Sequence, residues 1–168
     1  MYLESSTRGI GSVAFESPHP APAATRILSA GLPHNIHNTG WDNYFSSTHN
    51  LEGLVGVTPC QKENHDGVVG LLFQFDDDHR ECAGEVRLDS LGKSLDLRRD
   101  EGWALVFERR ADARPYVSAI HLQHVGPDSD IVGYVNLTCS GELHWLWSPR
   151  QCYIMYEGQT SPQPVLWA

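Results

Sequence analysis

From residue 51 onward, short apolar runs alternate with polar turns. The clearest example is 68–89, where two β-prone runs, VVGLLFQF and ECAGEVRL, flank the polar tip DDDHR. This pattern predicts a β-hairpin. The same succession continues along the chain and predicts about eight strands, at 54–60, 67–75, 80–88, 102–109, 116–125, 131–138, 142–147 and 151–157.

The connections between these runs are too short for parallel crossovers, so we expect antiparallel strands. Strands do not alternate with helices, and only 89–100 could form a helical turn. We therefore predict an all-β fold, an antiparallel, jelly-roll-like β-sandwich, with a small β-barrel as the alternative. Residues 51–168 are expected to form this single domain. Residues 1–50, with three closely spaced prolines and little periodicity, are expected to form an irregular arm packed on it.

Composition and charge narrow the range of partners. The chain has 168 residues and a formal net charge of −9, and its basic pairs Arg98-Arg99 and Arg109-Arg110 lie beside acids. A nucleic-acid partner is not expected, because phosphate binding needs a basic surface. No apolar run approaches the ~20 residues that span a bilayer, so no membrane association is expected. The first residues lack a signal-peptide pattern, so we expect a cytoplasmic protein with reduced cysteines.

Alternation along the predicted strands separates the side chains into two sets. Leu143, Trp145 and Trp147 share one face of their strand, and we predict that Trp145 packs in the core. The other set of faces is mostly polar. In the strand 116–125, His121 shares its face with Val117 and Ala119. This set can be a solvated sheet face, or it can converge in a groove that orients a ligand. Its polar members are Glu85, Arg87, His121, Gln123, Glu142 and His144.

Several of these residues have chemistry suited to a site. His121 and His144 could transfer protons near neutral pH, and Glu142 could form an acid–base couple with His144. Arg87 could clamp a carbonyl or oxyanion, with Glu85 and Gln123 as further ligand contacts. The polar segment 34–50 reads as a loop, on which Trp41 and Tyr44 are candidates for an aromatic platform.

No metal or cofactor is expected. His34, His37 and His49 lack the usual zinc-ligand spacing. The three acids at the 76–78 tip are explained by turn chemistry. Signatures of phosphate-binding loops, dinucleotide sites and nucleophile elbows are missing from the sequence.

Two segments, GLLFQFDDDHRECAGEVRLDSLG and GELHWLWSPRQCYIMYEGQTSP, resemble a broad set of filamentous-fungal proteins that mostly lack an assigned function. The shared elements are an HREC-x-G stretch followed by RLD, and a Trp-containing stretch that ends in RQC. The resemblance covers residues 54–162 and implies a fungal origin and a module that also occurs in larger proteins. It transfers no activity. Asp78 stands where these proteins often have a turn glycine.

Two functional hypotheses follow. The first is a module that binds a small molecule or a glycan through its aromatic residues and polar sheet face. The alternative is a cofactor-free natural-product enzyme, an isomerase, cyclase or dehydratase, that uses histidine and glutamate as acid–base groups. A protein-interaction domain that uses an exposed strand edge remains a third possibility.

Overall fold

Strands dominate the regular secondary structure of the chain. The computed structural model describes residues 2–6, 9–14, 45–63, 65, 67–111, 114–126, 132–149 and 152–163. The strands are β1 (Tyr2–Ser6), β2 (Gly9–Ala14), β3 (Phe45–Asn50), β4 (Leu54–Gln61), β5 (Val68–Phe75), β6 (Arg80–Gly84), β7 (Leu95–Asp96), β8 (Trp103–Arg109), β9 (Pro115–His121), β10 (Gly133–Leu137), β11 (Glu142–Trp147), β12 (Cys152–Tyr156) and β13 (Gln159–Thr160). A short 3-10 turn at Leu88–Ser90 is the helical element of the described residues.

Two antiparallel sheets pack together and form the main body. The larger sheet has seven strands in the order β10-β8-β9-β5-β4-β7, and β6 pairs with β5 beside this path. The smaller sheet has four strands in the order β13-β12-β11-β3. Neither sheet closes into a barrel within the described ranges, so the sandwich prediction is confirmed over the barrel alternative. The edge strand β3 of the small sheet lies beside β6 of the large one.

The core lies between the two sheets and contains three tryptophans. Trp103 comes from the large sheet, and Trp145 and Trp147 come from β11 of the small sheet. Their exposed fractions are 0%, 1% and 2%, which confirms the predicted burial of Trp145. The alternation on β11 explains this placement, because Leu143 also points inward whereas Glu142 and His144 lie on the opposite face.

The predicted faces of the strand 116–125 are wrong, because β9 contains a bulge. Val106 pairs with Ala119 but its neighbour Phe107 pairs with Val117, so Ser118 is an extra residue in β9. An extra residue shifts the alternation of side chains by one position. Val117 is therefore fully buried in the core, and it does not share the exposed face of His121.

The last part of the predicted loop 34–50 is a strand in the structure. Strand β3 pairs with β11 along its whole length, from Phe45 to Asn50, so the sheet begins before residue 51 and includes part of the predicted loop. Residues 15–44 lie outside the described residues. Near the N-terminus, β1 and β2 form an antiparallel hairpin of their own.

The predicted hairpin at 68–89 is confirmed as β5 and β6, although its second strand ends at Gly84. Asp78, at the tip, has a φ of 67°, in the left-handed region that favours glycine. Asp is among the few other residues that adopt this conformation readily. Asp78 thus adopts a backbone conformation that is typical of a turn glycine.

Replacement of Trp145 by alanine should destabilise the protein strongly. Removal of a buried tryptophan side chain typically costs ~3–5 kcal/mol, from lost burial and from the cavity it leaves. Leu88→Ala is the matched control, because Leu88 is 85% exposed and its loss should change stability by less than ~0.5 kcal/mol. Denaturant unfolding of the two variants checks this expectation, and equal midpoints would contradict the core placement.

Candidate functional site

The predicted couple of Glu142 and His144 lies on the outer face of the small sheet. Glu142 Oε1 is 2.8 Å from His144 Nε2, and the Oγ1 of Thr48, directly opposite on β3, is 3.0 Å from His144 Nδ1. The side chain of Glu142 is 55% exposed. The side chain of His144 is only 18% exposed, so this hydrogen-bonded chain is partly covered.

The other predicted site residues do not join this couple. His121 and Gln123 are exposed at and beyond the end of β9, in the other sheet. Arg87 forms two hydrogen bonds to Asp89, which hold the pKa of that carboxyl down at about 2. Glu85 pairs with Lys62. Trp41 and Tyr44 lie outside the described residues.

A small basic pocket lies where the β8–β9 hairpin meets the end of β11. Its lining includes Arg110, Arg114, Tyr116, Trp147 and Ser148. The backbone N–H of Arg110 donates to the carbonyl of Arg114 and closes the hairpin turn, so both arginines stand at the pocket. The pocket contains about 200 Å³ of empty space, part of it open to solvent. The enclosed cavity measures only about 10 Å³, close to the least that one water molecule needs, so most of that space is open to solvent.

The guanidinium of Arg110 has only neutral partners among the described residues. Its Nη1 donates to the carbonyl of Pro149 at 2.9 Å, and its Nη2 lies 2.9 Å from Nδ1 of His65. Its Cζ lies 5.5 Å from the centre of the Tyr116 ring. The Nε is buried without a hydrogen-bond partner. A half-buried cation with no carboxylate partner is costly, because such charges are normally paired.

Among the described residues no carboxylate is paired directly with Arg110, although Glu108 accepts a hydrogen bond from the hydroxyl of Tyr116 at 3.0 Å. Burial raises the pKa of the Cys152 thiol to about 12, so this pocket residue is neutral at physiological pH. The Nζ of Lys62 lies over the ring of Trp147, 5.6 Å from its centre, and Lys62 also forms an ion pair with Glu85.

A second set of polar residues lies at the seam between β3 and β6, where the edges of the two sheets meet. Nδ1 of His49 lies 2.5 Å from Oε2 of Glu81. His49 is only 6% exposed and makes an edge contact with Phe73 at 5.2 Å between ring centres. Glu81 also lies near His79, whose Nε2 is 3.6 Å from Oε1 of Glu81.

Most of the buried polar atoms that lack a partner are at this seam. Four buried side-chain atoms in the described part of the chain have no hydrogen-bond partner. One is Nε of Arg110, and the other three are Oγ of Ser47, Nε2 of His49 and Nε1 of Trp145. Ser47 and His49 share a face of β3, and Trp145 is paired directly with Ser47. Buried polar atoms are usually satisfied, so such a cluster requires an explanation.

Backbone packing beside Trp145 also depends on one glycine. Gly84, at the end of β6, has a φ of 69°, and a side chain there would lie 2.8 Å from the Nε1 of Trp145. The absence of a side chain at Gly84 allows the β6 backbone to approach the indole closely.

Sequence reasoning did not identify Arg110, Ser47 or Glu81. Arg110 was visible only as half of a basic pair, and its contacts with Pro149 and His65, which are distant in sequence, were not predictable from it. Ser47 and His49 lie in a polar strand that resembles a loop. The spacing Ser-x-His, which places both side chains on one face of a strand, was the available signal.

Comparisons with known proteins identify no relative. No family model matches the chain, and no curated protein or solved structure matches it. Within the described ranges, no group of three or more histidine, cysteine, aspartate or glutamate residues is arranged to hold a metal ion. The same ranges contain no helix that is long and apolar enough to cross a membrane.

Acidification should remove stability contributed by Glu81. The hydrogen bond from His49 lowers the pKa of Glu81 below its ordinary value of 4.5, so the folded state favours the carboxylate. This contribution is present above pH 4.5 and is lost as the pH falls through the lowered value. The difference in unfolding free energy between wild type and Glu81→Gln should therefore shrink from pH 6 towards pH 3, in chemical denaturation at each pH.

Glu101→Gln is the control, because it removes a carboxylate from an exposed pair with Arg98. If the difference in unfolding free energy between wild type and Glu81→Gln stays constant over the same pH range, the contribution of the His49–Glu81 hydrogen bond is contradicted.

Proposed function

We propose that the protein binds a small anionic molecule in the Arg110 pocket. One observation carries the proposal: Arg110 is a half-buried cation with neutral partners at the wall of a pocket. A carboxylate or phosphate group accepts two hydrogen bonds from a guanidinium and neutralises it. The ligand would supply the directly paired anion that Arg110 lacks among the described residues.

The surroundings of the pocket favour a compact anionic group. Its enclosed volume is only about 10 Å³, so an inorganic anion, or the anionic end of a larger metabolite, would bind at the solvent-open mouth. The aromatic faces of Tyr116 and Trp147 restrict water on the flanks of Arg110, and an ion pair is stronger where water is restricted. A neutral sugar would leave the charge of Arg110 without a partner, so an anion is favoured over an uncharged glycan.

Thermal unfolding with named anions tests this function. Phosphate, citrate and, as a neutral probe, glucose are added at constant ionic strength. A ligand at ten times its Kd stabilises the native state by about 1.4 kcal/mol. For a domain of this size, that raises Tm by ~3–6 °C. We expect phosphate or citrate to raise the Tm of the wild type, and glucose to leave it unchanged.

Arg110→Gln should abolish the anion-dependent rise in Tm. Arg98→Gln is the matched control, since it removes the same charge from an exposed arginine paired with Glu101. A rise that persists in Arg110→Gln, or that disappears equally in Arg98→Gln, would contradict binding at the pocket. A wild type that responds to none of the anions would contradict the function itself.

A further inference from the structure

We infer that anion binding at the Arg110 pocket is coupled to the uptake of a proton by His65, so that the protein binds its anion more tightly as the pH falls from 8 to 5.5. This inference rests on the function proposed above and adds its regulation. It is carried by the contact between the guanidinium of Arg110 and the ring of His65.

His65 and Arg110 come together from distant parts of the chain. His65 lies in the connection between β4 and β5, where its backbone N–H donates to the carbonyl of Lys62. Its ring is partly buried and lies against Trp147, with 5.6 Å between the ring centres. Arg110 directly follows β8 and lines the pocket. The imidazole is therefore held beside the guanidinium that binds the anion.

The contact between the two side chains requires a neutral imidazole. Both ring nitrogens of His65, Nδ1 at 2.9 Å and Nε2, are within hydrogen-bond distance of Nη2 of Arg110. A guanidinium can only donate, so the ring nitrogen that bonds to it must accept through a lone pair. A neutral imidazole has one such nitrogen in either tautomer, whereas the protonated ring has none. In the anion-free protein, Arg110 therefore favours the neutral form of His65.

An anion bound to Arg110 reverses this preference. It accepts hydrogen bonds from the guanidinium and neutralises its charge. A positive charge on His65 then costs less, and it adds attraction to the anion nearby. Because the coupling between two binding events is reciprocal, the proton strengthens anion binding by the same factor by which the anion strengthens proton binding.

His65 is the group near Arg110 whose residue type ordinarily changes charge between pH 5.5 and 8. Arginine, lysine and carboxylate side chains ordinarily keep one charge state over this range. In the described part of the chain, the groups of these types around His65 and the pocket are Arg110, Arg114, Lys62, Glu63, Glu85 and Glu108. Burial raises the pKa of the Cys152 thiol to about 12, so this thiol stays neutral. Asp66 lies outside the described residues.

The coupling has a defined direction and a limited size. The gain in affinity appears as the pH falls through the range in which His65 takes up its proton, and it is lost above that range. A single linked proton changes the affinity by at most about tenfold per pH unit. We expect the Kd to fall about fivefold or more between pH 8 and pH 5.5, a size common for coupling between two sites.

Isothermal titration calorimetry with sulfate tests the inference. Sulfate keeps its charge over this pH range, so a change in its Kd reports on the protein. At constant ionic strength, the Kd of the wild type should fall about fivefold or more from pH 8 to pH 5.5. At pH 6.5, imidazole and bis-tris buffers, which differ in their heats of ionisation, should give different binding enthalpies that correspond to the uptake of up to one proton per sulfate.

His65→Gln and His65→Lys remove the titration in opposite ways. The glutamine is always uncharged and should keep the weaker Kd at every pH, whereas the lysine is charged and should keep the tighter Kd. Neither variant should take up a proton. Thermal melts establish that each variant is folded, and if one is not, the other still decides.

His79→Gln is the matched control. His79 follows the far end of β5 from Val68, the residue that pairs with β9 beside the pocket. The variant loses a histidine from the same protein surface charge but not from the pocket, so it should keep the pH dependence and the proton uptake of the wild type.

Equal Kd values at pH 5.5 and pH 8, or equal enthalpies in the two buffers, would overturn the inference and leave anion binding itself in place. A pH dependence that is retained in a folded His65 variant, or lost in His79→Gln, would do the same. A wild type that binds no sulfate would also overturn the inference, and the thermal assay with phosphate and citrate decides the proposed function separately.

Discussion

The packing of two sheets around the tryptophans of β11 is the constraint on which both candidate sites depend. Trp145 and Trp147 project from the same face of one strand into the core, two residues apart. Trp145 is paired with Ser47 of β3 and its indole nitrogen lies beside Gly84 of β6, whereas Trp147 lines the Arg110 pocket. Because side chains alternate along β11, this single strand contributes one tryptophan to each of two chemically different sites.

Both sites contain polar groups that the described structure leaves partly unsatisfied. At the pocket this is a cation with neutral partners, and at the seam it is a set of hydrogen-bonding atoms around an oriented imidazole. Burial of such groups costs free energy that a purely structural role does not recover. This contrast with the well-packed core around Trp103 and Phe107 is the physical reason to single out these two places.

Much of the fold could be predicted from the sequence because it depends on local alternation. The runs that became β5, β8 and β11 have clear two-residue periodicity, and the buried face of β11 followed from it. Strand β3 was missed because its residues are almost all polar. The faces of β9 were misassigned because the bulge at Ser118 depends on pairing with β8, which is not visible in either strand alone.

The sites were less predictable because their chemistry comes from long-range contacts. Glu81 is paired with His49 across the seam, and the environment of Arg110 combines the β8–β9 turn with the loop after β11. Of the predicted residues, Glu142 and His144 come together as expected, with Glu142 exposed and His144 partly buried. Arg87 and His121 are separated from them by the sandwich topology.

Nuclear magnetic resonance of the tryptophan indole groups tests the central claim, anion binding at Arg110, most directly. Each indole N–H gives a separate ¹H–¹⁵N signal, which can be followed during titration with phosphate or citrate at constant ionic strength. The expected result is a saturable shift of the Trp147 signal and of the Arg110 Nε–H, with the Trp103 and Trp145 signals unchanged. Shifts that are absent, or that affect all the tryptophans equally without saturating, would contradict a specific anion site at this pocket.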